Sequence, residues 1–330
     1  MNRTKFSIII PVYNTVETFL NQCIASVNNL QYDNYEVLII DDASSDTTKE
    51  VIKKLSSTNK KIKVITHAQN TGLAGARTTG IENACSDYTI FLDSDDTLDT
   101  DSLNVISSII EEYRSDVVMF SLPRFKEKPE NIVIDDCFFE PGITTKDKVM
   151  QELLSFHTNS ICEKCGRTEI LKECYKKIDK SIVMGEDLQQ STNLIINSNT
   201  FYFTDKRIYY YRINEVKRDY YSYTNLNDMN FMIPTYNEVF VNNSNDKYLP
   251  YFKLASANAV IYRAFKLCRF KERKMLLNKL NDTQIVQILN QLKKTKIALP
   301  SQLLLSLITN KHYFLVNILS KIYNSTHPEF

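Results

Sequence analysis

Five short apolar runs, separated by segments of helical period, constrain this chain more than any other feature of its sequence. The runs are FSIII (6–10), YEVLIIDD (35–42), IKVITH (62–67), YTIFLD (88–93) and DVVMFSL (116–122). Between them Phe19, Leu20, Cys23, Ile24 and Val27 recur at helical spacing, as do Val51, Ile52 and Leu55. A strand that is apolar on both sides must be covered on both sides, and helices linking successive strands supply the cover. The expected fold class is therefore α/β: a Rossmann-like, mostly parallel sheet flanked by helices. Pro11 is expected to end the first strand. Further helices are expected over 146–156, 163–175 and 187–198, and strands over TFYFTD (200–205) and RIYYYR (207–212). From about residue 222 the pattern is almost wholly helical, which gives a first domain over 1–218 and a helical C-terminal region over 219–330.

Ligands of such sheets bind beyond the carboxyl ends of the strands. A polar cluster follows each of the first four runs: PVYN (11–14), DDASSD (41–46), QNTG (69–72) and DSDD (93–96). In DSDD, Asp93 and Asp95 stand on either side of Ser94 and can face one point in space. Hard oxygen ligands of this kind suit Mg²⁺ or Mn²⁺ when a diphosphate completes the coordination. The same acids could instead cap the helix that follows Asp99, and Asp96 is given only a turn or capping role. Asp42 has two comparable readings, a hydrogen-bond acceptor for a base or ribose and a cap for the helix over Thr47–Leu55. NTGLAGAR (70–77) places small residues at a helix start, where backbone N–H groups can approach a phosphate, and Arg77 adds a cation. It is neither a Walker A loop nor a dinucleotide fingerprint.

Taken in order, SIIIPVYN, EVLIIDDASSD, NTGLAGARTTGIENA, YTIFLDSDD and MGEDL (184–188) resemble the family 2 glycosyltransferases of bacterial surface-polysaccharide type, over roughly residues 5–215. The resemblance implies a GT-A fold and inverting transfer of a hexose or N-acetylhexosamine. The donor it implies is a sugar nucleotide, a UDP-sugar, and the acceptor a hydroxyl of a glycan or lipid-linked glycan. The product would belong to capsule, lipopolysaccharide or teichoic acid. Carried over residue by residue, Pro11, Val12, Tyr13 and Asn14 edge the base and ribose site, and Asp42 contacts the base. Asn70, Gly72 and Arg77 line the nucleotide, while Asp93, Ser94 and Asp95 meet its diphosphate. Asp93 and Asp95 hold Mn²⁺ or Mg²⁺, with Asp95 the direct ligand. Glu186 and Asp187 form the acceptor-side acid pair with Asp187 as base, and Arg212 approaches the diphosphate. Two other readings are a catalytically silent scaffold of the same family and a receiver-like signalling domain.

The net charge of +1 conceals an asymmetry: residues 251–330 carry 13 Lys and Arg against 3 Asp and Glu. Arg263, Lys266, Arg269, Lys271, Arg273 and Lys274 alternate with Ile261, Phe265, Leu267 and Phe270. Such basic amphipathic helices suit an anionic membrane surface or a solvated helix face packed on the first domain. No nucleic-acid-binding motif accompanies the charge, so no nucleic acid partner is expected. Seven scattered cysteines and a start that leads directly into a strand point to a reducing cytoplasm. The resemblance and the basic helices together imply, as one reading, a peripheral position on the inner face of the plasma membrane. The spacing of Cys162 and Cys165 lacks the second pair that a zinc site needs. Lys164 is assigned either to the acceptor pocket or to a helix entry, and His67 to packing.

Overall fold

The computed structural model describes residues 3–213 apart from 58, 136, 155–156, 179 and 181–185. The expectations for the C-terminal region, and for Met184 and Gly185 of the MGEDL segment, lie outside the described residues. The spine of the fold is β1 (Phe6–Val12), buried along its whole length because every residue but Ser7 is apolar. β2 (Tyr35–Asp41) and β4 (Tyr88–Phe91) flank it in parallel, and β3 (Ile62–Thr66) pairs in parallel with β2. The connections are α1 (Glu17–Asn28), α2 (Asp46–Ser56) and α3 (Gly72–Asn83). After β4 come the two-residue β5 (Thr97–Leu98), α4 (Ser102–Tyr113) and β6 (Val117–Phe120).

The second half is less regular. Short strands β7 (Arg124–Phe125), β8 (Ile132–Ile134) and β9 (Gly142–Thr144) precede α5 (Lys146–Leu154). Then follow β10 (Lys164–Arg167), α6 (Thr168–Tyr175), α7 (Glu186–Asn197), β11 (Phe201–Thr204) and β12 (Tyr209–Arg212). The main sheet has the order β3-β2-β1-β4-β10-β6-β11-β9, and a smaller sheet has the order β5-β12-β7-β8.

Two local expectations change. The helix expected from 163 begins as β10, which lies antiparallel between β4 and β6 and makes the sheet mixed. Pairing with two neighbouring strands satisfies the backbone of 164–167 better than one further helical turn. β1 also runs on through Pro11 to Val12. Proline is tolerated in this central strand because β4 pairs with β1 only as far as Ile9, leaving no ladder partner beside Pro11 on that side.

Parallel strands bring their carboxyl ends to one edge, so the segments after β1, β2, β3 and β4 meet there. α3 lies against β1 at Gly80, where an added Cβ would stand 2.4 Å from Ile9 Cγ2. Ile9 is fully buried and β-branched, so it has little freedom to yield. Gly80→Ala should therefore destabilise the protein by about 1–3 kcal/mol, read as a lower urea midpoint with an unchanged slope. Among the described residues no helix is long and apolar enough to cross a membrane.

Candidate active site

At the carboxyl edge the backbone takes unusual turns. Asn14, after β1, has φ 51°, and Ala43, after β2, has φ 60°. Asparagine visits this left-handed region readily, whereas alanine there costs about 1 kcal/mol. The two loops are stitched together: Asn14 N–H donates to Ser44 Oγ (3.2 Å), and Asn14 Oδ1 accepts from Ser45 N–H (2.7 Å). Thr15 Oγ1 and Ser94 Oγ, 2.6 Å apart, tie the β1 loop to the acidic turn after β4. Pro11 and Val12 are buried in the strand, while Tyr13 is 55% exposed on the open edge.

Asp42 is buried, and its carboxylate serves the protein. It accepts from Thr71 N–H (2.8 Å), Thr71 Oγ1 (2.9 Å) and Gly72 N–H (2.8 Å), and His67 Nδ1 lies 2.7 Å away. Asp42 is thus a cap, though for α3 rather than for the helix over Thr47–Leu55. The negative carboxylate meets the positive end of the α3 dipole. The Thr71 and Gly72 amides, where the sequence suggests that a phosphate could approach, hold the Asp42 carboxylate in this structure. Gly72 is needed for its φ of 77°, which a side chain would strain. Asn70 is exposed and bonds the Asp42 carbonyl through Nδ2 (3.3 Å). His67 does more than pack, because its Nε2 also lies 2.9 Å from Thr79 Oγ1.

Arg77 is the centre of the arrangement and is fully buried. Its Nη2 donates to Asp93 Oδ1 (3.0 Å), and its Nη1 to Asp187 Oδ1 (2.5 Å) and Gln190 Oε1 (3.0 Å). Burial alone would disfavour the cation, but the Asp187 and Asp93 carboxylates outweigh it and hold the pKa well above that of ordinary arginine. Arg77, expected from the sequence to line the nucleotide, lies behind the edge and clamps two carboxylates. Their side chains remain 28% and 31% exposed at Asp93 and Asp187. One guanidinium fork therefore joins the acid after β4 to the acid at the start of α7.

In the acidic turn Asp93, Ser94 and Asp95 are half-buried, whereas Asp96 is wholly buried. Asp96 N–H donates to the Asp93 carbonyl (3.0 Å) and closes the turn. The Asp96 carboxyl accepts from the Tyr209 hydroxyl (2.7 Å) and from Arg212 N–H (2.6 Å). Burial, then the charges of Asp95 and Asp93, push its pKa well up. Arg212 is also buried; its Nε donates to the Asp95 carbonyl (2.7 Å), and Gln22 Oε1 accepts from its Nη2. Arg212, expected from the sequence to approach the diphosphate, thus holds the backbone of the acidic turn.

Glu186 and Asp187 open α7, where the helix dipole favours acids. Burial and the neighbouring Asp187 charge raise the Glu186 pKa to about 7. Lys164 is buried and donates to the carbonyls of Thr158 (2.8 Å) and Ser160 (2.6 Å) and to Glu163 Oε1 (2.9 Å), so it fastens the 158–163 loop. Cys162 Sγ accepts from Arg77 Nη2 at 3.6 Å. Sequence reasoning gave no site role to Gln190, Tyr209, Cys162 or Asp96. Only Gln190 carried a signal, standing three residues after Asp187 on the same helix face.

Among the described residues no three His, Cys, Asp or Glu side chains converge as a ready metal cage. Asp93 and Asp95 nevertheless fit a hard divalent cation, as half-buried carboxylates on one short turn, if the ligand's own oxygens complete the shell.

The profile described as glycosyl transferase family 2 matches residues 7–175. Glycosyltransferase GlyA of Streptococcus pneumoniae is 29% identical over 219 residues, covering 64% of this chain and 31% of GlyA. The minor teichoic acid biosynthesis protein GgaB of Bacillus subtilis is 27% identical over 217 residues, covering 64% of this chain and 23% of GgaB. The chain thus spans under a third of the length of these relatives. The structure of S. aureus TarS 1–349 in complex with UDP-GlcNAc superposes with a TM-score of 0.75 at 22% identity, covering 98% of this chain and 92% of TarS 1–349.

Proposed function

The chain belongs to glycosyl transferase family 2, and on that premise we propose that it is an inverting transferase moving a hexose or N-acetylhexosamine from a UDP-sugar to an acceptor hydroxyl. The observation that carries this reading is the fork of Arg77, which holds Asp93 and Asp187 to one point although they lie far apart in sequence. A donor-side acid and an acceptor-side acid are thereby set facing one space.

In this reading Asp187 takes the proton of the acceptor hydroxyl as it attacks the anomeric carbon. A single displacement inverts that centre. Asp93 and Asp95 would hold Mn²⁺ or Mg²⁺, which when bound neutralises charge growing on the leaving diphosphate. The exposed Tyr13 and Asn14 after β1 and Asn70 after β3 would receive the nucleotide, with Asp42 and Gly72 setting the shape of that edge. Arg77 fixes the two acids without touching the donor. A UDP-sugar is favoured by the UDP-GlcNAc complex of TarS, and a surface glycan acceptor by the name of GgaB. Residues 1–218 would be the catalytic domain, with 219–330 serving membrane or partner association.

A thermal-shift panel of sugar nucleotides, with and without Mn²⁺, tests the proposal. A donor at a hundred times its dissociation constant should stabilise the protein by about 2.7 kcal/mol, raising Tm by several degrees. The shift should be larger with Mn²⁺ present. A panel in which no nucleotide moves Tm would reject the reading.

A further inference from the structure

The acidic turn is gripped from behind by a strand more than a hundred residues downstream. Tyr209 is fully buried, and its hydroxyl has two partners on the turn: it accepts Asp93 N–H (3.0 Å) and donates to Asp96 Oδ2 (2.7 Å). Arg212 has two more. Its N–H donates to Asp96 Oδ1 (2.6 Å), and its Nε donates to the Asp95 carbonyl (2.7 Å). The Arg212 guanidinium is fixed in turn between the rings of Phe19 and Phe125, 4.6 and 4.5 Å from their centres. β12 is anchored immediately beyond the turn, with Tyr209 opposite Leu98 and Tyr210 opposite Thr97. Asp99 N–H donates to the Ile208 carbonyl (2.9 Å), and the Tyr210 hydroxyl donates to Asp99 Oδ2 (2.9 Å).

Packing alone does not call for this chemistry. A carboxyl group with no exposed surface, next to two further carboxylates, is an expensive way to fill a turn. An apolar residue or an amide would do so at lower cost. What the arrangement achieves is a fixed backbone at Asp93, Asp95 and Asp96, from which the Asp93 and Asp95 side chains project.

We propose that Tyr209, Asp96 and Arg212 form a positioning brace that sets how Asp93 and Asp95 hold a divalent cation with the donor diphosphate. This rests on the functional reading above. The three residues touch the ligand-bearing turn, not the ligand, and outer partners of this kind govern metal affinity by about 10- to 100-fold.

The test uses the full chain and two variants, Tyr209→Phe, which deletes one hydroxyl, and Arg212→Lys, which keeps a cation but loses the bond to the Asp95 carbonyl. Mn²⁺ binding is followed by electron paramagnetic resonance in the presence of UDP, below the unfolding range and with circular dichroism as the check on folding. The expected result is a 10- to 100-fold weaker Mn²⁺ affinity in either folded variant. UDP binding without metal should be unchanged, and transfer should recover at high Mn²⁺. If one variant fails to fold, the other decides. A folded variant with wild-type Mn²⁺ affinity and only a lower Tm would overturn the brace while leaving the functional reading intact. A wild-type protein that binds no Mn²⁺ with UDP would overturn both.

Discussion

Asp187→Asn should stop transfer and spare donor binding. The substitution is isosteric, and its amide oxygen can still accept from Arg77 Nη1, so the fork and the Asp93 side chain should stay in place. What is lost is the charge that receives the acceptor's proton. Loss of a general base lowers kcat by about 10²- to 10⁴-fold. The dissociation constant of the sugar nucleotide, measured by calorimetry, should barely move. Transfer at the wild-type rate would remove Asp187 from the role of base.

The same substitution should alter the pH dependence of stability. Burial and the Asp187 charge raise the Glu186 pKa to about 7. Native Glu186 keeps its proton up to about pH 7, whereas an unperturbed glutamate loses it near 4.5, so the native state loses stability as pH rises across that window. Asp187→Asn removes one of the causes of the raised pKa and should flatten the stability curve there, as read from urea midpoints at stepped pH.

Arg77→Met carries the largest expected effect on stability. Arg77 is fully buried, and its fork is shared by Asp93, Asp187 and Gln190. Removing one partner of a buried ion pair leaves uncompensated charge and costs about 3–5 kcal/mol. Urea unfolding should show a loss of this size, and transfer should be abolished with it. Arg77→Lys separates charge from geometry. A lysine supplies a cation but not a planar fork, and cannot hold two carboxylates in fixed relation. It should recover part of the stability while kcat stays low. Asp187→Asn added to Arg77→Met should cost less than the sum of the two, because both act on one cluster. Additive losses would show that the fork does not couple the two acids.

Much of this molecule is written in local patterns. Five apolar runs with helices between them dictate a layered sheet whose first four strands are parallel. Parallel strands necessarily gather the segments after them on one edge, so Asn14, Asp42, Asn70 and Asp93 could be grouped before any coordinates were known. Gly72 was legible for a similar reason, since a glycine entering a helix marks a turn that other residues avoid. The ordered motifs then identified the family.

Other features had no local signature. Arg77 was recognised as a site residue but its hold on two carboxylates was not, because a helical position gives a direction only once the helix is docked. Asp96 could not be told from Asp93 and Asp95 in a run of acids; the hydroxyl that singles it out belongs to Tyr209. β10 looked helical because its pairing depends on two strands distant in sequence. The sequence alone determined the elements, their layering, the shared edge and the chemical kinds of side chain gathered there, since period and polarity are properties of neighbours along the chain. Only the tertiary structure decided which carboxylates are clamped, which one is buried and which strand grips the turn, since hydrogen bonds and ion pairs depend on ångström distances between residues that the chain itself holds far apart.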